Sequence, residues 1–221
     1  EEDEEEEEGE QEDEDAEEQV ATSWEASTGT YSALTVNDQV FEELHLPPGI
    51  AEDVQAVWRT FLSASESREA AGEAIYGALF DAAPSLQSLF KTPRAVMAMR
   101  LMNGFSSLVS ALTDPKALKI VVETLGFQHL DLEVTIPRVI IFRDAIVDLL
   151  AVEMGARLSP KGRDGWNTFL NYVGGSFIFV RVKFAERLKL LTASWAVATK
   201  KGLEAVEGAD EGEGEGEGEG E

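Results

Sequence analysis

Histidine is the residue type in this chain best suited to binding or catalysis, and the sequence contains only two, His45 and His129. His129 closes a series of residues at spacings of four, three and four, namely Leu118, Val122, Leu125 and His129. On a helix this spacing puts all four side chains on one face and predicts that the imidazole points toward the core. A buried imidazole needs a partner, which is either a hydrogen-bonding group of the core or a metal such as haem iron. His45 lies just before a proline break and is not expected to bind a ligand.

The elements around His129 are predicted to be helices, because apolar residues recur along most of the chain at spacings of three and four. Proline marks several predicted helix starts, at Thr92-Pro93, where the hydroxyl would cap the helix, at Pro137 and at Ser159-Pro160. Pro47-Pro48-Gly49 and Gly155 are predicted breaks. Six or seven helices with almost no strand alternation predict an all-α domain packed by ridges into grooves.

Charge divides the chain into a nearly neutral middle and two acidic ends. The formal net charge is −25, but residues 1–18 contain 15 acidic residues and 207–221 contain eight, with no Lys or Arg in either segment. We expect 1–18 to be disordered, since it repels itself and has little apolar surface to bury, and 202–221 to be an acidic Glu/Gly tail or linker. Between them we expect an extension over 19–50 with a short amphipathic helix around Val36 to Leu44, and a helical domain over 51–201 with an extended last helix.

Composition excludes several classes of function. Cysteine is absent, which excludes disulfides, thiolate catalysis and metal sites built on cysteine. The longest strongly apolar uncharged run, 165–180, has 16 residues and is too short to span a bilayer. The acidic ends would repel phosphate, so nucleic acid is not an expected partner. A glutamate run in place of a secretory signal predicts a cytoplasmic protein.

The last predicted helix carries a basic face between Arg181 and Lys201. This face is either simply solvated or docks a partner. The candidate partners are a second copy of the chain, its own acidic tail, or further domains of a longer chain from which this module derives.

Two motifs carry a resemblance to a known family. The stretch IYGALFDAAPSLQSLF at 75–90 resembles the second helix of a globin and the corner after it, with Phe90 at the position of the phenylalanine that stacks on the haem. The stretch LGFQHLDLEV at 125–134 resembles the motif around the proximal histidine, here His129. Three further matches are Trp58, Gly155 and Trp166. Residues from about 53 to 190 therefore resemble a globin, which implies the globin fold of six to eight helices around a haem pocket.

The resemblance implies that haem b is bound with His129 as the iron ligand. The apolar residues implied to contact the haem are Phe90, Leu101, Leu125, Val134 and Val139. Arg100 is the first candidate to pair with the haem propionates, with Arg94 and Lys91 as others. One departure from the family pattern is Glu133, where a glycine is common.

The resemblance places two residues on the gas-binding side. Counting back 32 residues from His129 gives Met97, where a globin usually has histidine or glutamine. Only six residues separate Phe90 from Met97, so Thr92 or Val96 could take this role instead. Met97 is an apolar gate, a core residue or a sixth iron ligand through its sulfur. Tyr76 either donates its phenolic hydrogen to the bound gas or only packs between helices.

Three functions follow from these alternatives. The first is reversible binding of a diatomic gas (O₂, or also NO or CO) for storage, sensing or scavenging. The second is a haem-free globin-like interaction module within a larger protein. The third is redox turnover such as NO dioxygenation, which would need an electron source, and nothing in the sequence resembles a flavin or nicotinamide motif.

Overall fold

A computed structural model describes residues 30–89 and 92–210 of the chain. All regular structure over these residues is helical, which confirms the all-α prediction. The six α-helices are α1 (Pro48–Ala64), α2 (Arg68–Ala82), α3 (Arg94–Ser110), α4 (Pro115–Gln128), α5 (Ile136–Met154) and α6 (Pro160–Asp210). Short 3₁₀ segments at Pro84–Leu89 and Gly155–Arg157 follow α2 and α5. None of the helices in the described part of the chain combines the length and the hydrophobicity that a bilayer span requires.

Local side chains determine where several helices begin and end. The Asp114 carboxylate accepts hydrogen bonds from the backbone N–H groups of Lys116 and Ala117, at 3.1 and 3.0 Å, and so caps α4. Gly155 ends α5 with a φ of +54°, a conformation that favours glycine. The predicted cap at Thr92 is wrong, because α3 begins one residue later than expected, at Arg94, with Pro93 at its N-cap and no side-chain cap bond.

The core up to Arg181 is centred on an aromatic cluster. The ring centroid of Phe105, from α3, lies 5.3 Å from Trp58 of α1 and 6.4 Å from Trp166 of α6. Helix α2 packs against α3 and α5, and α1 packs against α5. Contacts divide the chain into one unit up to Arg181 and a second from Val182 onward, and α6 contributes residues to both.

The predicted short helix around Val36 to Leu44 is wrong, since residues 31–46 contain no helix. This segment, the N-terminal strap, is held instead by side chains of α6. Asn171 Nδ2 donates to the carbonyls of Ser32 and Ala33, at 2.9 and 3.0 Å. The Tyr172 hydroxyl donates to the Glu42 carbonyl at 3.1 Å, and Leu44 is buried. These bonds replace the helical ones that the strap backbone would otherwise need. Residues 1–29 and 211–221, which include most of the acidic tails, lie outside the described residues.

All three tyrosines of the chain are buried, which predicts a loss of stability at alkaline pH. Burial raises the pKa of Tyr76 to about 12 and is the main cause that raises the pKa values of Tyr31 and Tyr172 above 10. The unfolded chain would release these protons from about pH 10, before the folded protein does. The free energy of unfolding should therefore fall as pH rises from about 10 toward 12.

The measurement combines urea denaturation at several pH values with the ultraviolet absorbance of tyrosinate. Tyrosinate should form together with unfolding. Tyr76→Phe should reduce the loss of stability within that pH window. Full ionisation at pH 10 in a protein that keeps its helical circular dichroism would contradict the prediction.

Candidate functional site

His129 lies at the C-terminal end of α4 rather than inside it. The helix ends at Gln128, and His129 is its C-cap residue, with its backbone N–H donating to the Gly126 carbonyl. Leu118 and Val122, which precede it on the predicted face, are fully buried, while Leu125 and His129 are half-buried. The predicted face is therefore real, and the imidazole stands at its edge, where the helix leaves the core.

Two contacts hold the His129 ring in place. Nδ1 lies 2.7 Å from the Leu125 carbonyl oxygen, and the ring stacks on Phe177 of α6 with centroids 4.8 Å apart. A carbonyl oxygen can only accept, so Nδ1 must carry the hydrogen, and in the neutral ring Nε2 keeps a lone pair. No hydrogen bond joins Nε2 to any residue of the described chain. The ring is therefore oriented and in the tautomer that can bind a metal through Nε2.

A second, smaller apolar cluster lies between α2, α3 and the 3₁₀ segment at Pro84–Leu89. Its buried members include Tyr76 and Ala98, and the half-buried Met97, Leu101 and Phe142 pack against it. Leu101 and Phe142 also pack against the larger core, as Leu125 and Phe177 do. The structure thus brings Tyr76, Met97 and Leu101 together, and Leu101 and Phe142 connect this cluster to the core that carries Leu125 and Phe177.

Tyr76 is 5% exposed and stacks on Phe80 with centroids 5.6 Å apart. Its hydroxyl donates to the carbonyl of Met97, with the oxygens 3.5 Å apart. This separation is at the long limit for a hydrogen bond, so the bond is weak. The O–H group rotates about the C–O bond. This contact therefore fixes the position of the hydroxyl oxygen, while the hydrogen can still point in another direction.

The other predicted site residues lie in different surroundings. Phe90 and Lys91 fall outside the described residues. Arg100 is exposed, and Arg94 donates to the Glu73 carbonyl at 3.4 Å. Val139 is buried against Gly174. A Cβ atom added to Gly174 would lie 2.2 Å from the Cγ1 atom of Val139. Of the remaining residues, Val134 and Thr92 are half-buried, and Val96 is 44% exposed.

Sequence reasoning missed two partners of His129. These are the ring of Phe177 and the backbone carbonyl of Leu125, a residue for which only a side-chain contact with the haem is expected from the sequence. The separation of four residues between Leu125 and His129 could have indicated the second, because that carbonyl lies one helical turn back. Phe177 and His129 are 48 positions apart, and no pattern in the sequence around either residue predicts their contact.

The donor set near His129 limits what metal chemistry the site can support. The described residues contain no group of three or more His, Cys, Asp or Glu that could hold a metal ion. A metal bound by His129 would therefore need most of its ligands from elsewhere. Haem would supply four of the iron ligands itself and would need one protein nitrogen, which Nε2 could provide, and its apolar surface would suit apolar side chains such as those of Leu125 and Phe177.

The comparison with known proteins agrees with this reading. The globin family model matches residues 73–177, a range that contains α3, α4, α5, most of α2 and the part of α6 that packs on His129. No curated protein matches the chain. Members of the globin family generally bind haem. The matched range, the helical architecture and the oriented histidine agree, and residues 73–177 of the chain match the globin family.

Proposed function

We propose that this globin domain binds one haem b through Nε2 of His129 and reversibly binds a diatomic gas, O₂ or also NO or CO. The observation that supports it most is the hydrogen bond from Nδ1 to the Leu125 carbonyl, which fixes the tautomer with the Nε2 lone pair. When bound, haem supplies an iron centre with a coordination position for a small gas.

The residues around His129 have separate roles in this proposal. The Leu125 carbonyl makes the imidazole more basic and fixes its rotation, and Phe177 supports one face of the ring. Leu101, Leu125, Val134 and Val139 would supply apolar contacts to the porphyrin, together with Phe90. Arg100, which is exposed, is the proposed partner of a propionate.

On the gas-binding side, the proposal rests on the cluster of Tyr76, Met97 and Leu101. Met97 is half-buried and packs against this cluster, so its thioether would fill the space beside the gas and exclude water. Tyr76 is the polar group we assign to the gas itself. Its backbone contact with Met97 keeps the phenol beside this cluster.

The proposal is tested by adding haemin to the protein purified without haem. A Soret band that saturates at one haem per chain, and that shifts when CO or O₂ is added after reduction, is the expected result. Absence of any Soret band would overturn the proposal in favour of a haem-free interaction module. A band that does not respond to gases would overturn the gas-binding part alone.

Replacing Tyr76 by phenylalanine should weaken O₂ binding more than CO binding. A hydrogen bond to a gas that carries partial negative charge contributes about 1–2 kcal/mol, and its loss should raise the O₂ dissociation rate roughly tenfold. CO accepts hydrogen bonds weakly, so its dissociation should change little. Stopped-flow displacement and flash photolysis measure the two rates.

Phe80→Leu is a suitable control, because it changes the ring stacked on Tyr76 and leaves the hydroxyl in place. Equal changes for O₂ and CO in Tyr76→Phe would point to a steric effect. In that case the phenol only packs between helices.

A further inference from the structure

Helix α6 carries the N-terminal strap on one side. The Tyr172 hydroxyl donates to the Glu42 carbonyl, and the ring centroids of Tyr172 and Phe41 are 6.2 Å apart. At Gly175 the helix and the strap backbone are in direct contact, because a Cβ atom added there would lie 2.1 Å from the carbonyl oxygen of Asn37. The position of the strap therefore limits how far α6 can move toward it.

Other sides of the same turns of α6 contact α5 and His129. A Cβ atom added to Gly174 would lie 2.2 Å from Cγ1 of Val139, so α5 approaches the helix closely there. The Phe177 ring stacks on the His129 ring with centroids 4.8 Å apart. Phe177 follows Gly175 by two residues and therefore lies about 160° away around the helix. The strap and the imidazole thus contact α6 on opposite sides of one helical turn.

A buried hydrogen-bond network joins the strap to α5 as well as to α6. Asn171 is 1% exposed, and its Nδ2 donates to the carbonyls of Ser32 and Ala33 in the strap. Its Oδ1 accepts from Nη1 of Arg143 on α5 at 3.1 Å, and Asp144 pairs with the same guanidinium at 2.7 Å. Loss of the Nδ2 donor would deprive two strap carbonyls of this hydrogen bond and release this end of the strap.

We propose that the N-terminal strap positions the imidazole of His129 through α6 and so tightens the binding of haem. Close-packed side chains transmit a displacement, because little space is left between them to absorb it. With the strap in place, α6 holds Phe177 against the imidazole. Without the strap, α6 moves toward the vacated side, and the ring loses its stacking partner while it keeps the bond to the Leu125 carbonyl. The effect on haem rests on the proposed function, whereas the effect on the ring does not.

The experiment uses two variants that release the strap at different points. Asn171→Asp keeps the acceptor for Arg143 and removes the donor to the strap. Phe41→Ala removes the strap ring that lies against Tyr172. Leu34→Ala is the matched control, because Leu34 is a strap residue that is 84% exposed.

The first measurement is nuclear magnetic resonance of the ring nitrogens of His129 in the haem-free protein. The chain has only two histidines, so a His45→Ala variant assigns the signals. We expect the hydrogen on Nδ1 in the unchanged chain and in Leu34→Ala. In the two strap variants the hydrogen should be shared between Nδ1 and Nε2, because a ring without its stacking partner leaves the Leu125 carbonyl more often.

The second measurement is the rate at which bound haemin leaves the full chain for an excess of an acceptor protein. This rate should rise roughly three- to tenfold in both strap variants and stay unchanged in Leu34→Ala. Phe177→Leu tests the route, since it removes the stacked ring while the strap remains in place. It should reproduce both effects, and its combination with Asn171→Asp should add little, because the two changes act on one contact.

Helical circular dichroism identifies the variants that are folded. Unchanged His129 signals in a folded strap variant would overturn the proposal, whatever happens to haem. Additive effects of Phe177→Leu and Asn171→Asp would also overturn it, since the strap would then act by a route other than Phe177. Absence of haem binding in the unchanged chain would overturn the proposed function and the effect on haem, and a shared ring hydrogen in the strap variants would then support the positioning alone.

Discussion

Replacement of His129 by alanine should abolish stable haem uptake. The 2.7 Å bond from Nδ1 of His129 to the Leu125 carbonyl fixes both the orientation and the tautomer of the imidazole for binding a metal. Without the imidazole, haem would be held only by apolar contacts and by the proposed contact between Arg100 and a propionate. Haemin titration followed by gel filtration should leave the variant without a Soret band, and added imidazole should restore part of the band by occupying the vacated space.

His45→Ala is the matched control, because the chain contains only these two histidines and the His45 side chain is 67% exposed. It should take up haem as the unchanged chain does. Loss of the His129 ring also removes a stacking contact with Phe177, so helical circular dichroism must show that the variant is folded. A folded His129→Ala protein with an unchanged Soret spectrum would contradict the assignment, as would loss of haem in His45→Ala.

The fold could be predicted from the sequence wherever the signal is local. Pro137 and Ser159-Pro160 lie at the starts of α5 and α6, and Gly155 ends α5, because a fixed φ, a capping side chain and a positive φ act within a few residues. The face that leads to His129 follows from helical spacing alone. The position of His129 at the C-cap does not follow from spacing, because spacing does not indicate which backbone hydrogen bond is the last of the helix.

The N-terminal strap could not be predicted, because its partners are distant in sequence. Val36, Val40, Phe41 and Leu44 have helical spacing, yet the backbone there is held by Asn171 and Tyr172, about 130 to 140 residues away. Nothing in the local pattern reports those bonds. The same limit applies to the stacking of Phe177 on His129. Long-range pairing of this kind overrides local helix propensity.

The strap predicts a large effect for a small substitution, Gly175→Ala. A Cβ atom at Gly175 would lie 2.1 Å from the Asn37 carbonyl oxygen, which is backbone and cannot rotate away. Asn37 is itself held, since its Nδ2 donates to the Thr30 carbonyl at 2.8 Å and its Oδ1 accepts from Gln39 N–H at 3.0 Å. The strap must therefore shift as a unit, and it can do so only by stretching the bonds that Asn171 and Tyr172 donate to it.

We expect Gly175→Ala to lower the free energy of unfolding by about 3 kcal/mol, at the upper end of the usual cost of overpacking, because the obstacle is backbone. Gly49→Ala is the matched control. Its Cβ would meet nothing within 4 Å, and it should be neutral or slightly stabilising, since alanine favours a helix over glycine. Urea denaturation measures both changes, and limited proteolysis should cut Gly175→Ala within 31–46 faster than the unchanged chain. Equal stability of the two variants would mean that the strap can move away from residue 175 with no loss in the free energy of unfolding, and that its hydrogen bonds to α6 do not contribute to stability.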